Sequence, residues 1–425
     1  VTGREFLDDL KWRGLLAQST DEEALIDALD NGPMTAYIGF DPSAPSLGIH
    51  HLVVLLALRR FQLAGHRPIA LVGGATGLVG DPSGRTAERT LNDEEVVASW
   101  VARIRSQLSA FLTFDSSPNS AVMANNLDWT RPLSALEFLR DIGKHFSVNQ
   151  MLAKDSVAAR LESGGISYTE FSYQVLQALD FLELYRREGC TMQMGGSDQW
   201  GNITAGLDLI RRVDQGAAHA LTMNLLLKSD GTKFGKTAGG SVWLDPEMTT
   251  PYAFYQFWFN ADDQDVVNYL KFFSFADRAT IEGLAAEVAE RPAKRAAQRF
   301  LAREMTTLVH GGDLCASVER AASALFGQGE LSEVEETTLA GALSQVPRAV
   351  ITRSEPMPTI VELLAATGVV DSKSAARRTV REGGAYLNNA KVVDENFVPS
   401  SSDLVHDRFL VLRRGKRDVA AIEVA

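Results

Sequence analysis

The first apolar block of the chain, "MTAYIGF" at 34–40, has almost no polar interruption and predicts a strand buried on both faces. After the loop "DPSAPS" the chain turns apolar again through "HLVVLLALRRFQLAG", which predicts a helix closed by Gly65. "RPIALVGGATG" then reads as a second strand. Strand, phosphate-sized loop, helix and strand in that order open a doubly wound parallel sheet, because parallel neighbours need a right-handed crossover. Helical periodicity continues at about 132–160, 169–187 and 198–213, and a stretch rich in Gly, Lys and Thr at 228–240 shows no periodicity and reads as a mobile loop.

Beyond that loop, "TTPYAFYQFWF" offers Thr250 as an N-cap and Pro251 at the first helical position. Helical patterns then run to Phe326. The acidic "GELSEVEETT" and three prolines predict a flexible joint, and two short helical patterns and two strand patterns close the chain. The expected organisation is a Rossmann-like α/β catalytic domain at 1–227 with an insert at about 130–170, and a mobile loop at 228–247. A small all-α domain at 248–326, a linker at 327–356 and an α+β module at 357–425 complete it.

Charge sharpens this picture. The 425 residues carry a formal charge of −12, which argues against non-specific binding of nucleic acid over the whole surface. Residues 357–425 nevertheless hold 10 Lys/Arg against 9 Asp/Glu, so a polyanion is first sought there. Two cysteines, Cys190 and Cys315, suit a reducing compartment. The longest strictly apolar run, 52–58, is far short of the roughly 20 residues of a membrane span. With no basic-then-apolar opening segment, the expected location is the cytoplasm, with no membrane partner.

Four stretches could carry chemistry. In "PSLGIHHLVVL" two imidazoles, His50 and His51, stand at a helix start, where free N–H groups and a partial positive charge favour phosphate. Asp41 and Ser43 lie in the loop before it. "SDGTKFGKT" sets Lys233, Lys236 and Thr237 among glycines, a cationic arm able to close on a triphosphate. "GGSDQWGN" puts Asp198 and Gln199 beside Gly195 and Gly196, where backbone can approach a ligand. "TEFSYQVLQALDF" places Tyr173, Gln177 and Asp180 on one helix face. Each alone also fits a bland role: a capped helix start, a solvated loop, a satisfied polar network.

Together, in this order, they resemble bacterial-type tyrosyl-tRNA synthetases of class I. "YIGFDPSAPSL", "LVGGATGLVGDPSGRTAERTLN", "FLRDIGKHFSVN" and "GGSDQWGNITAG" are similar to that family's segments, and the tail "SKSAARRTVREGGAYLNN … RRGK" to its S4-like RNA-binding module. The resemblance covers essentially the whole chain. It implies two-step chemistry with L-tyrosine, ATP with Mg²⁺, and tRNA(Tyr), no protein-held metal, and a homodimer built on the 130–170 insert. Carried over by position, Tyr37 and Asp180 would hydrogen-bond the substrate phenol. Tyr173, Asp81 and Gln177 would hold its ammonium group. Gly39, Asp41, Gly48, His51, Gly196, Asp198 and Gln199 would line the adenylate, with Ser43 near the phosphates. Lys233, Lys236 and Thr237, assisted by Arg85 and Arg89, would gather pyrophosphate. Arg211 and Arg212, then Arg377, Arg378, Arg381, Arg413, Arg414, Lys416 and Arg417, are the expected tRNA contacts.

One departure stands out. The family's His-x-Gly-His signature falls on 48–51, where this chain reads Gly48-Ile49-His50-His51. Three accounts fit: His50 turned outward with a shifted helix start, an impaired site on an intact RNA-binding scaffold, or a swap of two letters. The expectation is weakened adenylate formation, expressed chiefly in kcat, because a transition-state contact is lost.

Overall fold

The structure is a computed structural model that describes residues 1–83, 91–232, 234–237, 240–353 and 356–425. Its contacts group into two units, 1–245 with 262–290, and 246–261 with 291–425. Among the described residues no helix is long and apolar enough to cross a membrane.

The first unit is built on strands β1 (Leu16–Ser19), β2 (Thr35–Phe40), β3 (Arg67–Val72), β4 (Val122–Asn125), β5 (Met192–Gly196) and β6 (His219–Met223), in the spatial order 1-6-5-2-3-4. All neighbours are parallel except β1 and β6. The chain winds outward from β2 through β3 to β4, then returns to lay β5 on the other side of β2. That reversal makes the carboxyl ends of β2 and β5 the switch point where an open α/β sheet binds ligands.

The expected helix after β2 is Leu52–Leu63, with Leu52, Leu55, Leu56, Leu58 and Phe61 fully buried. Helix Tyr168–Glu188 is capped by Ser167, whose hydroxyl accepts from the N–H of Glu170, and ends at Gly189 in the left-handed region. It lies so close to helix Trp200–Asp214 that a Cβ on Gly206 would come within 2.9 Å of the Phe181 ring.

Three expectations need correction. The helix expected at 132–160 is a series of short turns and helices, broken where Phe146 is extended, and Leu136, Leu139 and Val148 along it are exposed. The segment 262–290 joins the first unit rather than an all-α domain, because the buried Arg13 donates to the carbonyls of Lys271, Ser274 and Ala276, and Arg60 to that of Ser274. Lastly, the 327–356 linker contains ordered elements. Helix Glu336–Leu343 buries Leu339, Ala342 and Leu343, and Arg348–Ile351 is a strand.

The 228–247 stretch also has fixed points. Phe234 is buried against Phe273 and Tyr269, with ring centroids 5.1 Å from each. β7 (Lys236–Thr237) pairs with β8 (Gly240–Ser241), and the N–H of Ile49 donates to the carbonyl of Val242 at 2.9 Å.

In the second unit, helix Pro251–Phe259 has Thr250 as its cap and Pro251 in its first turn, and packs with Ala296–His310, Gly312–Leu325 and Glu336–Leu343. The strand just described is β9; with β10 (Ala385–Leu387), β11 (Ala390–Val392), β12 (Phe409–Arg414) and β13 (Asp418–Val424) it forms a sheet ordered 11-10-12-13-9. Helices Ile360–Ala366 and Lys373–Arg381 cover it over a core including Ile360, Leu363, Leu364, Leu410, Leu412 and Ile422.

Candidate active site

The carboxyl ends of β2 and β5 open into a cavity of about 320 Å³. Tyr37, Gly39, Asp41, Ser43, His50, His51, Asp81, Tyr173, Gln177, Asp180, Gly196, Asp198 and Gln199 all line it, so residues spread over more than half the first unit meet at one place. Tyr37 lies in register with Gln193 across the β2–β5 pair.

At the deep end, Asp180 is 3 % exposed. Its Oδ2 accepts from Asn126 Nδ2 at 3.0 Å and its Oδ1 from Trp129 Nε1 at 2.9 Å. These two donors favour the carboxylate, but burial outweighs them and pushes the carboxyl up to about 7. Tyr37 is 1 % exposed, and its hydroxyl has no partner among the described residues. Burial, with the Asp180 charge behind it, raises that phenol well above its ordinary range. Gln177 Oε1 and Gln193 Oε1 are likewise buried without a partner among the described residues. Three unsatisfied polar atoms around one cavity, opposite a carboxylate, are costly unless something polar fills the space between them.

Midway, Asp41 accepts from the hydroxyls of Tyr173 and Thr76, each at 2.6 Å. Asn126 Nδ2 also donates to Thr76 Oγ1, so one amide ties this carboxylate to Asp180. Burial, followed by the Asp41 charge, raises the Tyr173 phenol strongly and keeps it a neutral donor. Gln199 Nε2 donates to Asp81 Oδ2 at 2.8 Å, and Asp81 Oδ1 accepts from the N–H of Ser83.

Thr76, Asn126, Trp129 and Gln193 were not singled out in the sequence. The available signal is topological: Asn126 directly follows β4 and Thr76 lies in the turn after β3, on the carboxyl side of the sheet.

At the mouth, His51 folds back on to the backbone of Gly48, its Nδ1 3.0 Å from the Gly48 nitrogen and 3.2 Å from its carbonyl oxygen. The His50 ring lies on the His51 ring with centroids 4.0 Å apart. The lysine-bearing loop passes alongside, where a Cβ on Gly235 would come within 2.8 Å of Ile49 Cγ2. Arg85, Arg89 and Lys233 lie outside the described residues, and of Lys236 and Thr237 the backbone alone is described.

Away from the cavity, Arg211 pairs with Asp208, and Arg212 donates to the carbonyl of His145. In the second unit Arg381 and Arg377 share Glu395. Arg413 lies over the Tyr386 ring at 4.4 Å and donates to the carbonyl of Phe326, while Arg414 donates to that of Val369. Arg378, Arg414, Lys416 and Arg417 are exposed.

A polar cavity at the switch point of a doubly wound sheet, with a helix start and a lysine loop at its mouth, is the architecture of a class I tRNA synthetase. The profile of "tRNA synthetases class I (W and Y)" matches residues 29–327, and that of the "Tyrosine--tRNA ligase SYY-like C-terminal domain" matches 338–422. The tyrosine–tRNA ligase of Streptomyces coelicolor is 64% identical over 422 residues, covering 99% of both chains, and that of Mycobacterium bovis 57% identical over 418 residues, covering 98% of both. A C-terminally truncated mitochondrial tyrosyl-tRNA synthetase of Aspergillus nidulans superposes with a TM-score of 0.69 at 29% identity, over 76% of this chain and 97% of its own. This chain belongs to the family of bacterial tyrosine–tRNA ligases.

Proposed function

We propose that the protein activates L-tyrosine with ATP and passes the tyrosyl group to the 3′-terminal adenosine of tRNA(Tyr). The observation that carries this reading is the buried hydroxyl of Tyr37, without a partner among the described residues, in the same cavity as the Asp180 carboxylate. A substrate phenol between them donates to Asp180 and accepts from Tyr37, which satisfies both. A phenylalanine side chain would leave the Tyr37 hydroxyl unpaired and offer Asp180 no donor.

In the first step a tyrosine carboxylate oxygen attacks the α-phosphorus of ATP. The bond from that phosphorus to the bridging oxygen breaks, and pyrophosphate leaves with the electron pair. No covalent intermediate on the protein is needed; positioning and charge stabilisation supply the rate. Tyr173, Asp81 and Gln177 hold the ammonium group. Gly39, Asp41, Gly48, Gly196, Asp198 and Gln199 line the adenylate, and Ser43, His51, Lys233, Lys236, Thr237, Arg85 and Arg89 are assigned to the phosphates by their match to the family's motifs. Mg²⁺ arrives with the nucleotide. Arg211 and Arg212 and the exposed cations of the second unit serve the tRNA.

The exposed apolar residues of the insert, Leu136 at 79 % and Tyr168 at 71 % among them, support a homodimer through that face. We place the protein in the cytoplasm, where its two buried thiols stay reduced. Charging of bacterial tRNA(Tyr) with labelled tyrosine tests the reading: accumulation of tyrosyl-tRNA is expected, and binding of tRNA with no charging would overturn it in favour of a binding protein.

A further inference from the structure

The Gly48–His50 pair departs from the family's His-x-Gly-His signature, and the structure shows the two positions to be sterically coupled. A Cβ on residue 48 would lie 2.7 Å from Cε1 and 2.8 Å from Nδ1 of His50, so the imidazole of His50 occupies the place where a side chain of residue 48 would begin. One ring contact is made there. The ring of His51 lies against it at 4.0 Å, itself fixed to the backbone of Gly48. Gly235 of the lysine loop lies beside the same turn, where an added Cβ would come within 3.7 Å of the His50 Cβ. The imidazole therefore does not turn away from the site. It lines the same cavity as Asp41, Ser43, Gly196 and Asp198.

We infer that His50 is a phosphate-facing residue of the nucleotide site, and that position 48 is glycine because the His50 ring takes its side-chain space. The inference rests on the proposed tyrosine activation. As the carboxylate oxygen bonds to the α-phosphorus and the bridging oxygen departs with its electron pair, negative charge grows on the phosphate oxygens. An imidazole N–H of His50 donates a hydrogen bond to them and no proton is transferred, so the contact is strongest in the transition state. The expected loss of activity from the exchanged letters is thereby offset: the pair has room for one imidazole, and His50 supplies it.

The coupling makes a distinctive prediction for tyrosine-dependent ATP–pyrophosphate exchange. His50→Ala is expected to lower kcat by ~100- to 1,000-fold, the scale for losing one transition-state donor, with the KM for tyrosine within about twofold of the native value. Gly48→Ala displaces the ring and gives a loss of the same order. The double variant Gly48→Ala/His50→Ala is no slower than His50→Ala alone, because the two changes remove one contact. Gly48→His forces two rings into one space and is the most damaging single change, whereas Gly48→His/His50→Gly leaves one ring and recovers exchange. Tyrosine binding by equilibrium dialysis and the thermal midpoint stay near native in His50→Ala, since the residue is exposed.

Native exchange by His50→Ala, or losses in the two single alanine variants that multiply in the double, would overturn the inference while leaving the proposed function intact. Absence of exchange in the native chain would overturn both.

Discussion

The hydroxyl of Tyr37 is buried with no described partner, an arrangement that costs the folded protein about 1–3 kcal/mol until a ligand supplies one. Tyr37→Phe should therefore raise the thermal midpoint or leave it unchanged, while raising the KM for tyrosine by about tenfold, the worth of one hydrogen bond. A fall in the thermal midpoint would show that the hydroxyl has a structural partner. Asp180 makes the opposite demand, because it has to be ionised to accept from the substrate phenol. Its carboxyl is pushed up to about 7 by burial, so the KM for tyrosine should climb as pH falls below about 7, approaching tenfold per pH unit. Linkage fixes the sign for stability. A carboxyl raised above its unfolded value of about 3.9 adds stability that is full below that value and is lost as pH rises through about 7. Tyrosine saturation curves and thermal scans across this range check both, and a pH-independent KM would refute the role given to Asp180.

At the scale of elements, the largest side chain that docks the lysine loop among the described residues is the Phe234 ring, between Phe273 and Tyr269. Phe234→Ala removes about 3–5 kcal/mol of local packing and should undock the loop. Pyrophosphate exchange should then lose kcat while tyrosine binding is unchanged; an unaltered kcat would show that the anchor does not position the lysines. Legibility in the sequence follows the range of the contacts. The β2–helix–β3 unit is legible because 34–72 carries its own apolar runs and its own stop at Gly65. The insert is not, since Leu136 and Leu139 follow a helical spacing yet face outward in one chain. Helix Glu336–Leu343 hides behind acids that obscure Leu339, Ala342 and Leu343. The return of 262–290 to the first unit depends on Arg13 and Arg60, more than 200 residues away in sequence, and no local pattern announces such a contact. Within the cavity lining, residues in Gly- or Asp-bearing motifs are legible. Thr76, Asn126 and Trp129 join it through hydrogen bonds that only the closed sheet creates.

At the scale of the whole molecule, the division of charge sets the tRNA prediction. Positions before 357 carry a net −13 and the remainder +1, so attraction to a polyanion is concentrated in local clusters such as Arg378, Arg414, Lys416 and Arg417. Charging of tRNA should weaken steeply with added salt, whereas pyrophosphate exchange, which involves no polyanion, should change little. A variant lacking β9 and everything after it should keep exchange and lose charging; equal loss of both would mean that the tail supports the catalytic unit itself. The central claim is that the buried polar cavity at the switch point activates tyrosine despite the Gly48–His50 arrangement. The most direct measurement is ATP–pyrophosphate exchange by the native chain with tyrosine, and separately with phenylalanine, as the amino acid. Rapid exchange with tyrosine and almost none with phenylalanine is predicted; exchange with neither, or with both alike, would contradict the account.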